Sequence, residues 1–230
     1  MSDWTFEQFG GEFDTHVAAH LPGYADVQRL VSLIAAFTVP VGGKVADLGC
    51  STGASAATIS VMGRGVKFHL YDLDTSMIEA AQARLNGVDA TFHVGDITDG
   101  LAHRDADLTL ALWVLQFISP AAWRRVLAAA RSRSTPRGAI LVAAKTQHAD
   151  PRWEEIAVAA LDDYKAQAGV SAEERAAKTA SLRGVMTAAP AAAIAAELTA
   201  AGWHSPTVLW RWHVWSIIGA YASPVLTGPM

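Results

Sequence analysis

Val45-Ala46-Asp47-Leu48-Gly49-Cys50-Ser51-Thr52-Gly53 is the stretch that decides the fold of this chain. Apolar residues that end in an aspartate predict a buried strand over 44–48, and the small-residue turn leads into a predicted helix over 54–62. A strand, a tight turn and a helix in this order open the ligand crevice at the carboxyl edge of a doubly wound sheet. Glycines let the turn backbone approach a ligand without a collision. The stretch therefore predicts an α/β fold with a ligand site at residues 47–53.

Two further acids extend this site, although a lone G-x-x-x-G is often only a turn. Asp72 ends a predicted strand over 66–71, where an acid accepts hydrogen bonds from both hydroxyls of a ribose. Asp96 follows a third strand over 90–94. Three acids disfavour a pyrophosphate, the phosphate-loop Lys-Ser/Thr is absent, and Ser51 replaces the second glycine of the nicotinamide pattern. The pattern favours S-adenosylmethionine (SAM), whose adenosine carries no phosphate and whose sulfonium is cationic.

The rest of the chain alternates strand and helix patterns. Further strands are predicted over 107–113 and 138–144, a closing pair over 208–215 and 217–221, and helices over 25–37, 75–85, 120–132 and 190–201. Residues 151–187 predict a helical insert after the fifth strand, and Trp4, Phe6, Phe9 and Phe13 predict an N-terminal helical cap. We expect one domain over 1–230, with a doubly wound, mostly parallel seven-stranded sheet and a loose tail over 223–230.

Composition narrows the class of protein. No apolar run among the 230 residues reaches the roughly 18 residues that span a membrane, and the N-terminus shows no signal-peptide pattern. Cys50 is the only cysteine, which fits a reducing cytoplasm; a packed turn residue is a simpler interpretation of it than a reactive thiol. The net charge is −4 and the basic residues are scattered, so a small-molecule acceptor is favoured over nucleic acid.

The motifs resemble class I SAM-dependent methyltransferases and, more closely, the carboxy-SAM synthase family. The residues that carry this resemblance are Asp3-Trp4-Thr5-Phe6, Pro22-Gly23-Tyr24, Asp47-Leu48-Gly49-Cys50-Ser51, Met77-Ile78-Glu79, Gly95-Asp96-Ile97, Leu115-Gln116-Phe117, Lys145 and Val185-Met186. The resemblance implies a Rossmann-like fold, a homodimer and an insert that helps to cover the site. It also implies conversion of SAM and prephenate into carboxy-SAM, which later modifies a wobble uridine in tRNA.

The resemblance also implies a set of cofactor residues. Tyr24 would contact SAM from the N-terminal cap, and the loop from Gly49 to Gly53 would approach the methionine moiety. Asp72 would bind the ribose, Leu73 would flank the adenine, and Asp96-Ile97 would reach the adenine edge. The full predicted cofactor set is Tyr24, Asp47, Gly49, Cys50, Ser51, Gly53, Asp72, Leu73, Asp96 and Ile97.

Two positions depart from the carboxy-SAM synthase pattern. Thr179 stands where that family carries the arginine that grips the added carboxylate, and Leu112 stands where it carries an asparagine. Burying a carboxylate without a cationic partner costs several kcal/mol or more. Arg183 lies one helical turn after Thr179 and Arg175 one turn before it, so either is a candidate replacement. The two losses nevertheless argue against carboxylate chemistry.

The acceptor site is less defined by the sequence. Candidate pocket residues follow the predicted strands: Trp113, Gln116, Lys145, Gln147 and His148, with Arg183 from the insert. His148 is either a general base or a surface loop residue, and Lys145 either orients an anionic acceptor or ends a strand in solvent. Trp203, Trp210, Trp212 and Trp215 indicate either core and dimer packing or an aromatic pocket. No metal-ligand spacing is present.

These observations predict a SAM-dependent methyltransferase that acts on a small aromatic or hydrophobic acceptor. Methyl transfer from a sulfonium needs positioning of the acceptor, and a base only where the acceptor carries a proton, so the absence of a recognisable triad is no objection. One alternative is a true carboxy-SAM synthase with a relocated arginine. The other is a SAM-binding partner protein without catalytic activity.

Overall fold

The computed structural model describes residues 13–224, and its centre is a mostly parallel β-sheet. The strands are β1 (Lys44–Leu48), β2 (Lys67–Asp72), β3 (Ala90–Val94), β4 (Ala106–Leu112), β5 (Ser134–Gln147), β6 (Ala189–Pro190), β7 (His204–Trp212) and β8 (Trp215–Tyr221). Their order is β3-β2-β1-β4-β5-β8-β7, with the two-residue β6 beside the end of β5. β8 is antiparallel to both of its neighbours, and the other strands run parallel to one another.

Helices cover both faces of this sheet. They are α1 (Phe13–His20), α2 (Tyr24–Thr38), α3 (Ala54–Ser60), α4 (Thr75–Arg84), α5 (Pro120–Ser132), α6 (Pro151–Gln167), α7 (Ala172–Ser181) and α8 (Ala191–Ala200). One core cluster joins α2, α3 and α4 to the sheet, and a second joins α5 and α8 to the opposite face. Successive residues of β5 alternate between the clusters, because Ile140 and Val142 pack on one face and Leu141 and Ala143 on the other.

The predicted architecture holds, with three differences in detail. The sheet has eight strands instead of seven, because the short β6 follows α7 and pairs with β5. The closing hairpin turns at His213-Val214, so Trp215 belongs to β8 and not to the end of the preceding strand; His213 has a left-handed φ of 43°. The insert over 151–187 consists of two helices, α6 and α7.

Both ends of the chain carry expectations that fall outside the described residues. Trp4, Phe6 and Phe9 of the predicted cap and the last residues of the predicted loose tail are among them; α1 is the part of the cap that the structure describes. Between residues 13 and 224, no helix combines the length and the apolar composition that a membrane crossing requires.

Candidate active site

All of the predicted cofactor residues except Gly53 line one large cavity at the carboxyl ends of the parallel strands. Its volume is about 890 Å³, within the range of pockets that bury small ligands. This edge of an open α/β sheet is where ligands bind, because loops from several strands converge there. α1, α6 and α7 supply further walls through residues such as Val17, Leu161 and Lys178. The helical insert therefore covers the strand ends, as the resemblance implies.

The first loop turns sharply through three left-handed residues. Gly49, Ser51 and Gly53 have φ angles of 75°, 50° and 74°. Ser51 stands where a dinucleotide motif has a glycine, yet it adopts the glycine-like conformation and its N–H donates to Asp72 Oδ2 at 2.8 Å. A non-glycine residue in this region is strained, and the hydrogen bond to Asp72 helps to hold it there. The loop and the end of β2 thus form one unit.

The two glycines of this loop have different neighbours. A side chain on Gly49 would place its Cβ 2.7 Å from a Val114 methyl carbon, so the loop packs against the turn after β4. Gly53 does not line the cavity, which differs from its predicted contact with the methionine moiety. It is the N-cap of α3, where a Cβ would lie 3.2 Å from Ala81 and Leu85. Its role is to let α3 pack closely on α4.

Asp47 is almost wholly buried at the end of β1 and lines the cavity. Burial and the neighbouring charge of Asp72 raise the pKa of Asp47 to about 7. A cationic ligand would favour its ionised form, so the site is suited to a sulfonium compound. Cys50 is buried beside Asp47, and burial raises the pKa of its thiol far above the usual range. The thiol stays protonated, which supports the interpretation of Cys50 as a packed turn residue.

The remaining cofactor candidates follow β2 and β3. Asp72 accepts from the backbone N–H groups of Ser51 and Asp74, at 2.8 and 3.1 Å, and burial raises its pKa. Leu73 is 71% exposed at the cavity edge, where an apolar side chain can cover a purine. Asp96 Oδ1 accepts from Thr98 N–H, and both Asp96 and the buried Ile97 line the cavity. The arrangement fits an adenosine laid across the strand ends.

Two neighbouring aromatic side chains form part of the cavity wall. The rings of Tyr24 and Trp113 have centroids 5.5 Å apart and are tilted by 33°, and both side chains line the cavity. Trp113 has a left-handed φ of 58°, and its backbone N–H donates a hydrogen bond to the backbone oxygen of Ala143 at 2.7 Å. A bulky residue in this conformation is an outlier that the surrounding structure must hold in place.

The C-terminal tryptophans divide between core and cavity. Trp203 is buried in the core, and its indole N–H donates to Leu127 O at 2.9 Å. Trp210 and Trp212 pack, partly buried, against a small apolar cluster that contains Leu161 and Trp215. Trp215 also lines the cavity. Trp203 therefore packs in the core, and Trp215 is the C-terminal tryptophan that reaches the cavity wall.

Of the remaining strand and turn residues predicted for the acceptor site, two line the cavity and two do not. Gln116 and Lys145 line the cavity, and Gln116 Oε1 accepts a hydrogen bond from the backbone N–H of Lys145 at 3.0 Å. Gln147, the last residue of β5, and His148 do not line it. The N–H of His148 donates to Glu154 Oε2 at 2.8 Å, which ties this loop to the first turn of α6. His148 therefore lies outside the lining of the cavity in which the acceptor is expected.

The insert places the arginine candidates differently. Thr179 and Arg183 line the cavity, as does Leu112 from β4. Arg175 does not, because it pairs with Asp162 at 2.9 Å and donates to Val170 O at 2.6 Å. Of the two proposed substitutes for the missing arginine, the geometry retains Arg183 alone.

Sequence reasoning missed several cavity residues on the helices. Lys165, Lys178, His16 and His20 all line the cavity. Charged residues on helices of the insert are expected in solvent, so no signal in the sequence separates these lysines from surface ones. A close i, i+4 histidine pair is visible in the sequence, but its direction depends on how α1 docks.

His16, His20 and Glu174 present the one potential metal-ligating group that residues 13–224 contain, with ligand atoms within 4.8 Å of one another. Lys178 Nζ lies 2.6 Å from His16 Nε2, on the atom that a metal would need. Burial and the Lys178 charge lower the pKa of His16 to about 4. A divalent cation beside this ammonium is electrostatically disfavoured, so we assign no metal here.

Comparison with known proteins finds a methyltransferase domain and carboxy-SAM synthases among the relatives of this chain. Residues 45–138 match the family described as a methyltransferase domain. The chain is 28% identical over 193 residues to a carboxy-S-adenosyl-L-methionine synthase from Shigella boydii, covering 81% of this chain and 78% of that protein. A synthase of the same name from Yersinia pestis is 27% identical over 193 residues, which is 72% of its length.

Solved structures share the fold at low sequence identity. The human N-acetylserotonin methyltransferase in complex with SAM aligns with a TM-score of 0.59 at 19% identity, over 87% of this chain and 55% of that one. An O-methyltransferase family protein from Burkholderia thailandensis gives 0.63 at 15% identity, over 86% and 56%. This chain thus spans little more than half of these two. The DhpI–SAH complex gives 0.60 at 18% identity and covers 92% of both chains. The domain match, the relatives and the shared fold identify this chain as a SAM-dependent transferase of the class I methyltransferase fold, similar in sequence to the carboxy-SAM synthases.

Proposed function

We propose that the protein transfers the methyl group of SAM to a small acceptor with an aromatic or hydrophobic body. The observation that carries this proposal is that the cavity extends past the cofactor residues to the helical insert and the closing hairpin, where an acceptor has room beside the cofactor. We call this part of the cavity the acceptor chamber and define it by the residues Trp113, Lys145, Leu161, Lys165, Lys178 and Trp215. Methyl transfer needs the acceptor atom held in line with the sulfonium, and a walled chamber beside the cofactor supplies that positioning.

The residues that line the chamber favour methyl transfer over carboxy-SAM synthesis. Thr179 offers a hydroxyl where the resemblance expects an arginine, and Leu112 offers an apolar surface where it expects an asparagine. Both residues line the cavity, so neither difference is remote from the chemistry. An uncarboxylated methyl group is the simpler fit to these two positions.

A specific observation keeps carboxy-SAM synthesis as the second candidate. Arg183 and the chamber lysines bring other cations to the cavity, and they can replace the missing arginine as partners of a carboxylate. The similarity to the curated synthases, at 28% identity over 193 residues, points the same way. The two activities differ in whether the sulfonium carbon acquires a carboxylate.

Mass spectrometry separates the two candidates. The nucleotide that copurifies with the protein should be SAM or S-adenosylhomocysteine, and incubation with SAM and prephenate should leave SAM uncarboxylated. Thr179→Arg is the matched variant, because it restores the expected family residue in the same pocket. A carboxymethyl sulfonium species from the unaltered chain would replace the first candidate with the second.

A further inference from the structure

Charge is separated between the two ends of the cavity. The acids that line it are Asp47, Asp72 and Asp96, all at strand ends among the cofactor residues. Lysines supply the charge of the acceptor chamber: Lys145 from β5, Lys165 from α6 and Lys178 from α7. No carboxylate from the described residues lines this chamber. The acidic end suits a cationic cofactor, and the other end carries the opposite charge.

The chamber lysines lie close enough to disfavour one another. Burial lowers the pKa of Lys145, and burial together with the charge of Lys145 lowers the pKa of Lys165. Burial and the charge of Lys165 lower the pKa of Lys178 to about 8. Within residues 13–224, the ammonium groups of Lys145 and Lys165 make no hydrogen bond and no ion pair within 4.0 Å. Partly buried cations in this state are stabilised by an anion placed among them.

Two nearby acids on the insert are engaged elsewhere, and a third, Glu174, lies close to His16 and His20 and partly offsets the lowering of the Lys178 pKa. Glu154 accepts from the His148 N–H, and Asp162 pairs with Arg175 at 2.9 Å. Neither of these acids lines the cavity. Trp215 lies directly across the β5–β8 ladder from Lys145, and its buried indole N–H has no hydrogen-bond partner among the described residues. The chamber thus combines ammonium groups with the apolar ring surface of Trp215.

We propose that the acceptor carries a carboxylate, which Lys145, Lys165 and Lys178 bind while Trp113 and Trp215 pack against its apolar body. This inference rests on the proposed function and names the substrate class of the same chamber. The methionine carboxylate of SAM is another source of the same chemistry. The two sources differ in which ligand loses affinity when a lysine is removed.

Isothermal titration of the protein saturated with S-adenosylhomocysteine tests the proposal. The probes are benzoate, phenylacetate and indole-3-carboxylate, each measured against its own primary amide. At least one acid should bind tenfold or more tightly than its amide, and Lys165→Met should remove that preference. Lys165→Arg should retain it. Lys67→Met is the matched control, since Lys67 is exposed on β2 and pairs with Asp89 at 3.8 Å.

Each contrary outcome has its own meaning. Equal binding of every acid and its amide, or a preference that survives in Lys165→Met, overturns the proposal. A loss of S-adenosylhomocysteine affinity in Lys165→Met assigns the lysines to the carboxylate of the cofactor and also overturns it. Failure of the unaltered chain to bind S-adenosylhomocysteine refutes the proposed function itself. Lys145→Met provides the same measurement if Lys165→Met does not fold.

Discussion

Asp47 should make the unliganded protein less stable as the pH rises. Its carboxyl is buried at the end of β1, where burial and the charge of Asp72 raise its pKa to about 7 from the ordinary value of 3.8. Because the folded pKa lies above the unfolded one, the stabilisation is fully present below pH 4 and is lost as the pH approaches 7. A shift of about three pKa units corresponds to about 4 kcal/mol of unfolding free energy.

Asp47→Asn isolates this effect, because it keeps the shape of the side chain and removes its charge. At pH 8, we expect the unliganded variant to be more stable than the unaltered chain by up to about 4 kcal/mol, and at pH 4 we expect little difference. Binding of SAM should weaken by about tenfold or more, since the ionised Asp47 faces the end of the cavity that receives the cation. Stability and cofactor affinity should therefore change in opposite directions.

Urea unfolding followed by circular dichroism at pH 4 and pH 8 measures the first effect, and calorimetric titration with SAM measures the second. Asp89→Asn is the control, because it makes the same substitution at an acid that is exposed on the surface. A variant that is less stable than the unaltered chain at pH 8 would refute the reasoning. So would a stability difference that is the same at both pH values.

Three further predictions test other parts of the site and surface. Asp72→Asn should weaken the binding of S-adenosylhomocysteine by about 1 to 3 kcal/mol, because the Asp72 carboxylate is expected to accept hydrogen bonds from the ribose hydroxyls. A calorimetric titration measures this, and unchanged affinity would remove Asp72 from the site. Gly49→Ala should lower the unfolding free energy by about 1 to 3 kcal/mol, because φ is 75° and the new Cβ would lie 2.7 Å from Val114. The loss should be smaller when Val114→Ala is also present, because that substitution removes the methyl groups that the new Cβ would meet. We propose a homodimer that uses the exposed α6 residues Trp153 and Ile156, and Trp153→Ser should lower the mass seen by light scattering; a monomeric unaltered chain at tens of micromolar contradicts this.

Local patterns were enough to predict the cofactor half of the molecule. The apolar run at 44–48, the turn that follows it and the acids at two further strand ends depend on neighbours in sequence, and the structure assembles them as expected. Ser51 shows why motif matching alone would have failed. It takes a left-handed φ of 50°, so the backbone does what the glycine of the related motif does. Its hydrogen bond to Asp72 is a direct contact between two parts of the predicted site, and the sequence pattern does not predict that contact.

The acceptor half depends on how helices dock, which periodicity does not determine. On α6, Trp153 and Ile156 are apolar residues at helical spacing, yet they are exposed by 61% and 52%. Ala157 and Leu161 are the residues buried against the tryptophan cluster. The apolar stripe is wide enough for both orientations, and contact with the hairpin at Val214-Trp215 selects one.

The chosen orientation of α6 also explains how the lysines become functional candidates. Lys165 lies four residues after Leu161, so burying Leu161 brings Lys165 to the same side of the helix and to the cavity wall. α7 then brings Lys178 close enough for Lys165 to lower its pKa.

In the proposed reaction, methyl transfer removes the positive charge of the sulfonium from the acidic end of the cavity. Asp47 then faces a neutral thioether, and its pKa should return toward the value of about 7 that it has without ligand. The separated charges favour the binding of SAM and an anionic acceptor. They should therefore give the site a lower affinity for S-adenosylhomocysteine, the product, than for SAM.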